Sequence, residues 1–355
     1  MSASREAAAN SAGVLPLTTP QLRARIAELP RLRLAHLPTP LDFCPRLTAA
    51  LGGPRIYIKR DDLTGLAFGG NKTRQLEFLF PGILEQKPDT VIAGAYTQSN
   101  WCRQITATAA KLGLKARLIL VHGEKGPVPQ GNLLLDRLMG AEVTVVDLRD
   151  MHDLAPLLAA AGEELRRAGR RPYVIQPFDL EVLATSAIGY VNQAAELDDQ
   201  LSEAGLKADY IYLAGANITP AGIQLGQKAL GRATKVVSIC PISWKDDRAA
   251  DISRIASAAA RRLNLPISLE PGEVSVDEGY IGERYGVVTP AGRAALRFVA
   301  ETEGIILDPV YSAKAMSGLI DHIRRGRIGK NETVVFVHTG GTPAVFAYAN
   351  ELIAD

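Results

Sequence analysis

The chain has 355 residues, beyond the roughly 250–300 at which single cores tend to split, and its 47% hydrophobic and 22% charged content is ordinary for globular proteins. Lys and Arg number 40 against 38 Asp and Glu, so the formal charge of +2 carries no electrostatic footprint for nucleic acid or an acidic membrane. Three scattered cysteines, Cys44, Cys102 and Cys240, argue against a disulfide framework or zinc site and fit a reducing, cytoplasmic setting, and no run approaches the ~18 apolar residues of a membrane span.

Residues 1–20 are small and polar, lack the apolar core of a secretory signal, and read as a flexible tail. Arg55 to Arg60 (RIYIKR) then reads as a strand. The segment TRQLEFLFPGILE follows with helical spacing at Leu76, Leu79, Phe80 and Ile83. Thr90 to Tyr96 is a strand, NWCRQITATAAKLG a helix ending at Gly113, and ARLILV a strand. GNLLLDRLMG is a helix closed by Gly140, EVTVVD a strand and LAPLLAAAGEELRRAG a helix. Alternating helices and near-continuous apolar strands mark parallel sheets covered on both faces. Pro172 to Glu181 (PYVIQPFDLE) interrupts the alternation, and a helical stretch with Tyr190, Ala194 and Leu197 comes next. DYIYLAG, KVVSIC and TVVFVHTGG give three further strands, and the segment from Ile267 to Pro290 is long and irregular. The expected architecture is α/β: two open parallel-sheet domains with a cleft between them.

Five segments carry candidate chemistry. In FGGNKTRQLEFL, Lys72 sits where a Gly-Gly-Asn loop opens a helix, and the helix dipole there disfavours its positive charge. An amine of that kind suits Schiff-base chemistry, while Gly69 and Gly70 admit a flat ligand and Asn71 can bond a ring substituent. The same residues also suit a tight turn with a solvated lysine. In AYTQSNWCRQ, Ser99 and Asn100 lie between a strand and a helix, where hydroxyl, amide and free N–H groups bind a carboxylate or simply cap the helix. LAGANITPAGIQLG repeats the strand–loop–helix pattern, and Ala216, Asn217 and Thr219 can cradle a phosphate although no Walker ending follows. Tyr280, Tyr285 and Tyr311 occupy loops and suit proton transfer or plain packing. In VHTGGTPAVFAY, Thr339 can bond a heterocyclic nitrogen, whereas His338 reads as a satisfied buried histidine.

Together and in this order, GGNKTRQLEFL, QSN-x-x-RQ, GYIGERYG, DPVYSAKA and HTGGTPAVFAY resemble the D-cysteine desulfhydrase / 1-aminocyclopropane-1-carboxylate (ACC) deaminase family, from about Leu37 to near the C-terminus. That resemblance implies pyridoxal 5'-phosphate (PLP) as cofactor and the fold type II, tryptophan-synthase-β-like architecture. It implies a homodimer, a large PLP-binding domain at 21–72 plus 185–355, and a small domain at 73–184. It makes Lys72 the Schiff-base lysine and places Asn71 and Asn100 beside the cofactor ring. Ala216, Asn217 and Thr219 become the phosphate loop, and Thr339 the partner of the ring nitrogen. Ser99, Tyr285 and Tyr311 become catalytic, and Gln98, Ser99, Asn100, Trp101 and both tyrosines contact a small amino-acid substrate.

The residue after the DPVY tyrosine is Ser312, where ACC deaminases resemble one another in carrying Glu. The resemblance therefore implies β-elimination, with D-cysteine as leading substrate, ahead of ACC deamination, lysis of L-cysteate or another β-substituted alanine, β-replacement or amino-acid racemisation. Three departures bear on the substrate: Trp101 stands in place of a common His, the phosphate loop reads GANIT, and Pro177, Phe178 and Asp179 replace a Gly-Gly-Ser segment. An inactive PLP-binding protein and an unrelated nucleotide-binding domain are the competing readings; no G-x-G-x-x-G follows a strand to support the latter.

Overall fold

The computed structural model describes residues 15–354. In chain order its main elements are α1 (Thr19–Ala27), β1 (Leu41–Phe43), α2 (Pro45–Leu51), β2 (Arg55–Lys59), α3 (Lys72–Glu85), β3 (Thr90–Tyr96), α4 (Asn100–Lys111), β4 (Lys115–Val121), α5 (Gly131–Leu138) and β5 (Glu142–Val146). They continue as α6 (Ala155–Arg167), β6 (Pro172–Val174), α7 (Leu180–Glu203), β7 (Tyr210–Ala214), α8 (Ile218–Ala229), β8 (Lys235–Ile239), α9 (Arg248–Arg262) and β9 (Ser275–Asp277). The chain closes with α10 (Pro290–Glu303), α11 (Ser312–Arg324), β10 (Thr333–Val337), α12 (Pro343–Ala347) and α13 (Ala349–Ile353).

Two sheets form, ordered β5-β4-β3-β6 and β1-β2-β10-β7-β8-β9. All pairings are parallel except β1 with β2, which is antiparallel. The central strands are apolar because helices cover both faces: every residue of β10 is buried, and β3 is buried as far as Ala95. Ile56, Tyr212, Val334 and Phe336 face one layer of helices, while Ile211, Leu213, Val335 and Val337 face the other. Burying each such side chain contributes about 1.5–3 kcal/mol.

Three local features depart from the sequence expectation. The expected break at Pro172 begins with strand β6, which pairs in parallel with β3 at the sheet edge, where proline's missing N–H costs no ladder bond. The three-residue edge strands β1 and β9 are too short for periodicity to reveal, and β1 makes the larger sheet mixed. The expected tail gives way to structure before residue 20. Leu17 N–H donates to Ala229 O (2.8 Å), and Thr18 and Gln21 form a reciprocal capping box that starts α1. The first fourteen residues lie outside the described ones.

Pro81 sits inside α3 without ending it. A proline there cannot donate to the Glu77 carbonyl, and Leu32 N–H bonds that carbonyl instead at 2.8 Å. Among the described residues no helix is long and apolar enough to cross a membrane, and the three cysteines are free and buried.

Candidate active site

Loops following the C-terminal ends of β3, β6, β7 and β8 converge on one cavity of about 170 Å³, the place where open α/β sheets bind ligands. Lys72, Ser99, Trp101, Ala216, Asn217, Thr219, Tyr285 and Tyr311 all border it. The topology thus brings together eight residues drawn from five separate segments of the sequence.

Lys72 is the first residue of α3. The loop before it is conformationally costly: Ala67 (φ 44°), Phe68 (φ 67°), Gly69 (φ 65°) and Gly70 (φ 115°) all have positive φ. A Cβ on Gly69 would stand 2.0 Å from Asp62 O, so glycine is required there. The loop is held by the Arg-Gln pair of the α4 motif. Arg103 Nη2 and Gln104 Nε2 both donate to Gly69 O, at 2.6 and 2.7 Å, and Thr73 Oγ1 donates to Gln104 Oε1 at 2.7 Å. Asn71 N–H donates to Thr339 O (2.9 Å), and Asn71 Nδ2 to Thr219 Oγ1 (3.2 Å), tying the lysine loop to the loop after β10 and to the first turn of α8. Burial without a counter-ion pulls the Lys72 ammonium down from its ordinary value to about 8.

Ser99 caps α4: its Oγ accepts Cys102 N–H at 3.1 Å, leaving its O–H free to donate into the cavity. The hydroxyls of Tyr285 and Tyr311 are 2.5 Å apart, and the Tyr285 ring lies 5.0 Å from that of Tyr96. Desolvation raises both phenols above their ordinary value. Each tyrosine rests on a buried device the sequence did not reveal. Behind Tyr311, the Asp308 carboxylate accepts the N–H groups of Val310, Tyr311 and Ser312 at 2.8–2.9 Å. Behind Tyr285, the fully buried Lys314 donates to Ile281 O at 2.6 Å and Arg284 O at 3.4 Å, and burial pulls its ammonium to about 8.

The remaining sequence candidates stand outside the cavity lining. Gln98 bridges two loops, donating to Gln130 O (3.0 Å) and accepting Asn132 N–H (2.9 Å). Asn100 Oδ1 accepts from Asn132 Nδ2 at 2.9 Å. Thr339, 9% exposed, holds Asn71 through its carbonyl. Tyr280 bonds Asp321 at 2.5 Å, away from the cavity. His338 is buried, with Nε2 2.9 Å from Ile306 O, as a packed histidine should be. Cys102 packs in the core beneath β3. Ser312 is wholly buried, and its Oγ donates to Asp308 Oδ1 at 2.6 Å, directed into the helix cap. Met151, Phe178, Ser186 and Trp244 also border the cavity. Of these, only Phe178 is among the positions where the sequence departs from the pattern of the family it resembles.

The residues fit a phosphorylated carbonyl cofactor. Ala216, Asn217 and Thr219 N–H groups find no protein acceptor among the described residues, and they lie at the N-terminal end of the twelve-residue α8. Lys72 supplies the amine, and no carboxylate borders the cavity. The family described as "Pyridoxal-phosphate dependent enzyme" matches residues 32–340. The chain belongs to that family. Similar family members include a 1-aminocyclopropane-1-carboxylate deaminase of Burkholderia ambifaria, 38% identical over 91% of this chain and 98% of that protein. A D-cysteine desulfhydrase of Serratia proteamaculans is 37% identical over 92% of this chain and 98% of that protein. The solved structure of an ACC deaminase homologue superposes with a TM-score of 0.84 at 36% identity, covering 94% of this chain and 98% of that one. Diaminopropionate ammonia lyase of Escherichia coli, at 16% identity and a TM-score of 0.66, shares the fold alone. The chain is thus a fold type II, PLP-dependent enzyme of the lyase class, with pyridoxal phosphate as cofactor.

Proposed function

We propose that the enzyme carries out α,β-elimination on a small amino acid, with D-cysteine, converted to pyruvate, sulfide and ammonia, as leading substrate. The observation that carries this reading is a buried lysine, its ammonium pulled down to about 8 by desolvation, in a cavity that also presents Ser99 and the Tyr285–Tyr311 pair but no carboxylate. Pyridoxal phosphate, held by Lys72 and by the N–H groups of Ala216, Asn217 and Thr219, supplies the electron sink for charge developing at the substrate Cα. Lys72 removes the α-proton once its amine is free. The Ser99 hydroxyl and the N-terminus of α4 bind the substrate carboxylate. The tyrosine pair hands a proton to the departing sulfur.

Ring opening of ACC is the second reading, supported by the name of the Burkholderia relative. Against it, Ser312 points into the helix cap and offers no acid to the cavity. L-cysteate lysis and racemisation are distinguished by their products. The free buried cysteines support a reducing, cytoplasmic location. Leu134 and Leu138 on α5 and Phe346 on α12, helices that pack together, leave large apolar side chains exposed and support a homodimer, which sedimentation tests.

The deciding experiment compares absorbance spectra of wild type and Lys72→Ala with PLP, then adds D-cysteine. The expected result is a visible cofactor band that Lys72→Ala abolishes, with pyruvate and sulfide formed only by wild type. A band that shifts without product points to another amino acid, and failure to bind PLP sinks the reading.

A further inference from the structure

Apart from Lys72, no ionised side chain borders the cavity. Part of its wall is apolar and aromatic, built by Met151, Phe178 and Trp244. These come from three loops, following β5 and β6 of the smaller sheet and β8 of the larger, so the wall spans both sheets.

Each ring is anchored from outside the cavity. His152 stacks on Phe178, with centroids 4.3 Å apart and planes at 11°, and Asp150 Oδ1 holds its Nδ1 at 2.6 Å. Trp244 meets the rings of His152 and Phe178 edge-on, at 5.5 and 6.2 Å. The guanidinium of buried Arg248 lies 4.5 Å from the centre of the Trp244 ring and is itself held by Asp251 at 3.1 Å. The Trp244 Nε1 atom is buried without a hydrogen-bond partner among the described residues. The wall is therefore packed from behind by His152 and Arg248, and it carries an unused donor. A substrate carrying a sulfonate or ammonium on Cβ would bury that charge against this wall with no charged side chain to offset it; the neutral Trp244 N–H can donate one hydrogen bond to a sulfonate and none to an ammonium.

We propose that Met151, Phe178 and Trp244 form the side-chain subsite of the Lys72 cavity and select amino acids with an uncharged, apolar β-substituent, an S-alkyl or S-aryl thioether. D-cysteine shares the uncharged β-sulfur but, as a thiol, lacks the group that would fill this subsite. The inference rests on the elimination reading. In the net step the Cβ–S bond breaks with its electron pair left on sulfur, Lys72 takes the α-proton and the departing thiolate gains one. One water enters, and a free thiol, pyruvate and ammonia leave.

The test uses the PLP-loaded enzyme with both enantiomers of S-benzylcysteine, S-methylcysteine, cysteine, cysteate and β-chloroalanine. Calorimetry with S-benzyl-α-methylcysteine, which has no α-proton to lose, reads binding apart from turnover. The expected kcat/KM for S-benzylcysteine exceeds that for cysteate at least about tenfold. Phe178→Ala and Trp244→Ala each lower the ratio of kcat/KM for S-benzylcysteine over β-chloroalanine by about ten- to a hundredfold, and weaken the α-methyl analogue similarly. Cysteate turned over as well as the thioethers, or ratios unmoved in both variants, overturns the subsite while elimination from β-chloroalanine still stands. If the loaded enzyme releases pyruvate from none of these, the elimination reading falls. The calorimetric arm then decides the subsite: weaker binding in Phe178→Ala supports it, and unchanged binding overturns it.

Discussion

Lys72 and Arg74 lie on the same first turn of α3, and the fold treats their charges in opposite ways. Arg74, 1% exposed, is met by Asp61 at 2.8 and 2.9 Å and by Glu196 at 2.9 and 3.1 Å; Lys59 reaches the same Glu196 at 2.5 Å. The two carboxylates hold the Arg74 proton firmly despite burial, and Arg74 and Lys59 hold Glu196 down to about 2. Lys72 is desolvated with no carboxylate beside it, and its charge becomes the cheaper thing to lose. Burial of a cation thus builds a joint between β2, α3 and α7 where partners are supplied, and a reactive amine where they are withheld.

The largest expected effect removes the unpaired cation. Lys72→Ala eliminates the visible cofactor band and lowers turnover at least about a thousandfold. The stability of the cofactor-free protein carries the opposite sign. The folded amine near 8 lies below the unfolded 10.5, so the unfolded chain binds more protons between those values and stability rises with pH across that window. Lys72→Met should therefore stabilise the cofactor-free protein by up to about 3 kcal/mol below pH 8 and lose that advantage toward pH 10.5, as urea titrations at both ends would reveal.

Removing the paired cation should do the reverse. Arg74→Met leaves two carboxylates buried and costs about 3–5 kcal/mol in denaturant unfolding. Glu196 also sets the acid side. Its folded value near 2 lies below the ordinary 4.5, so its contribution is fully present above 4.5 and is lost as pH falls toward 2. In Arg74→Met that acid-side loss should shrink, and an unchanged acid unfolding profile would break the comparison.

Two smaller effects sharpen the picture of the cavity itself. Tyr311→Phe should lower kcat by about a hundredfold or more with little change in KM, measured by steady-state pyruvate release. Lys314→Met should lower kcat by about tenfold and speed amide exchange between Ile281 and Tyr285, because the loop bearing Tyr285 loses its buried donor. Unchanged exchange there would deny Lys314 that positioning role.

Much of this was legible in the sequence because it depends on neighbours in the chain. The strand at Thr90–Tyr96 and the helix after it follow from apolar runs and a Ser99 cap. Lys72 was marked by the Gly-Gly-Asn loop and helix start, which are local. Gln98 was a substrate contact only through the family resemblance; in the fold its amide bonds Gln130 and Asn132. Thr339 carried a plausible hydroxyl, yet what the fold uses to hold Asn71 is its carbonyl, which no side-chain reading reveals.

What the sequence by itself determined is the alternation of strands and helices, the loops that end them, and the residue types placed in those loops. Hydrophobic period and capping chemistry act over a few residues and need no partner from afar. Only the tertiary structure decided which cation would go unpaired, that Lys314 would brace the loop bearing Tyr285, and that Met151, Phe178 and Trp244 would meet across two sheets. Those outcomes depend on which groups burial brings within hydrogen-bond reach, Lys314 and Ile281 across 33 residues and Arg74 and Glu196 across 122, and on which it leaves in a low-dielectric space without a partner.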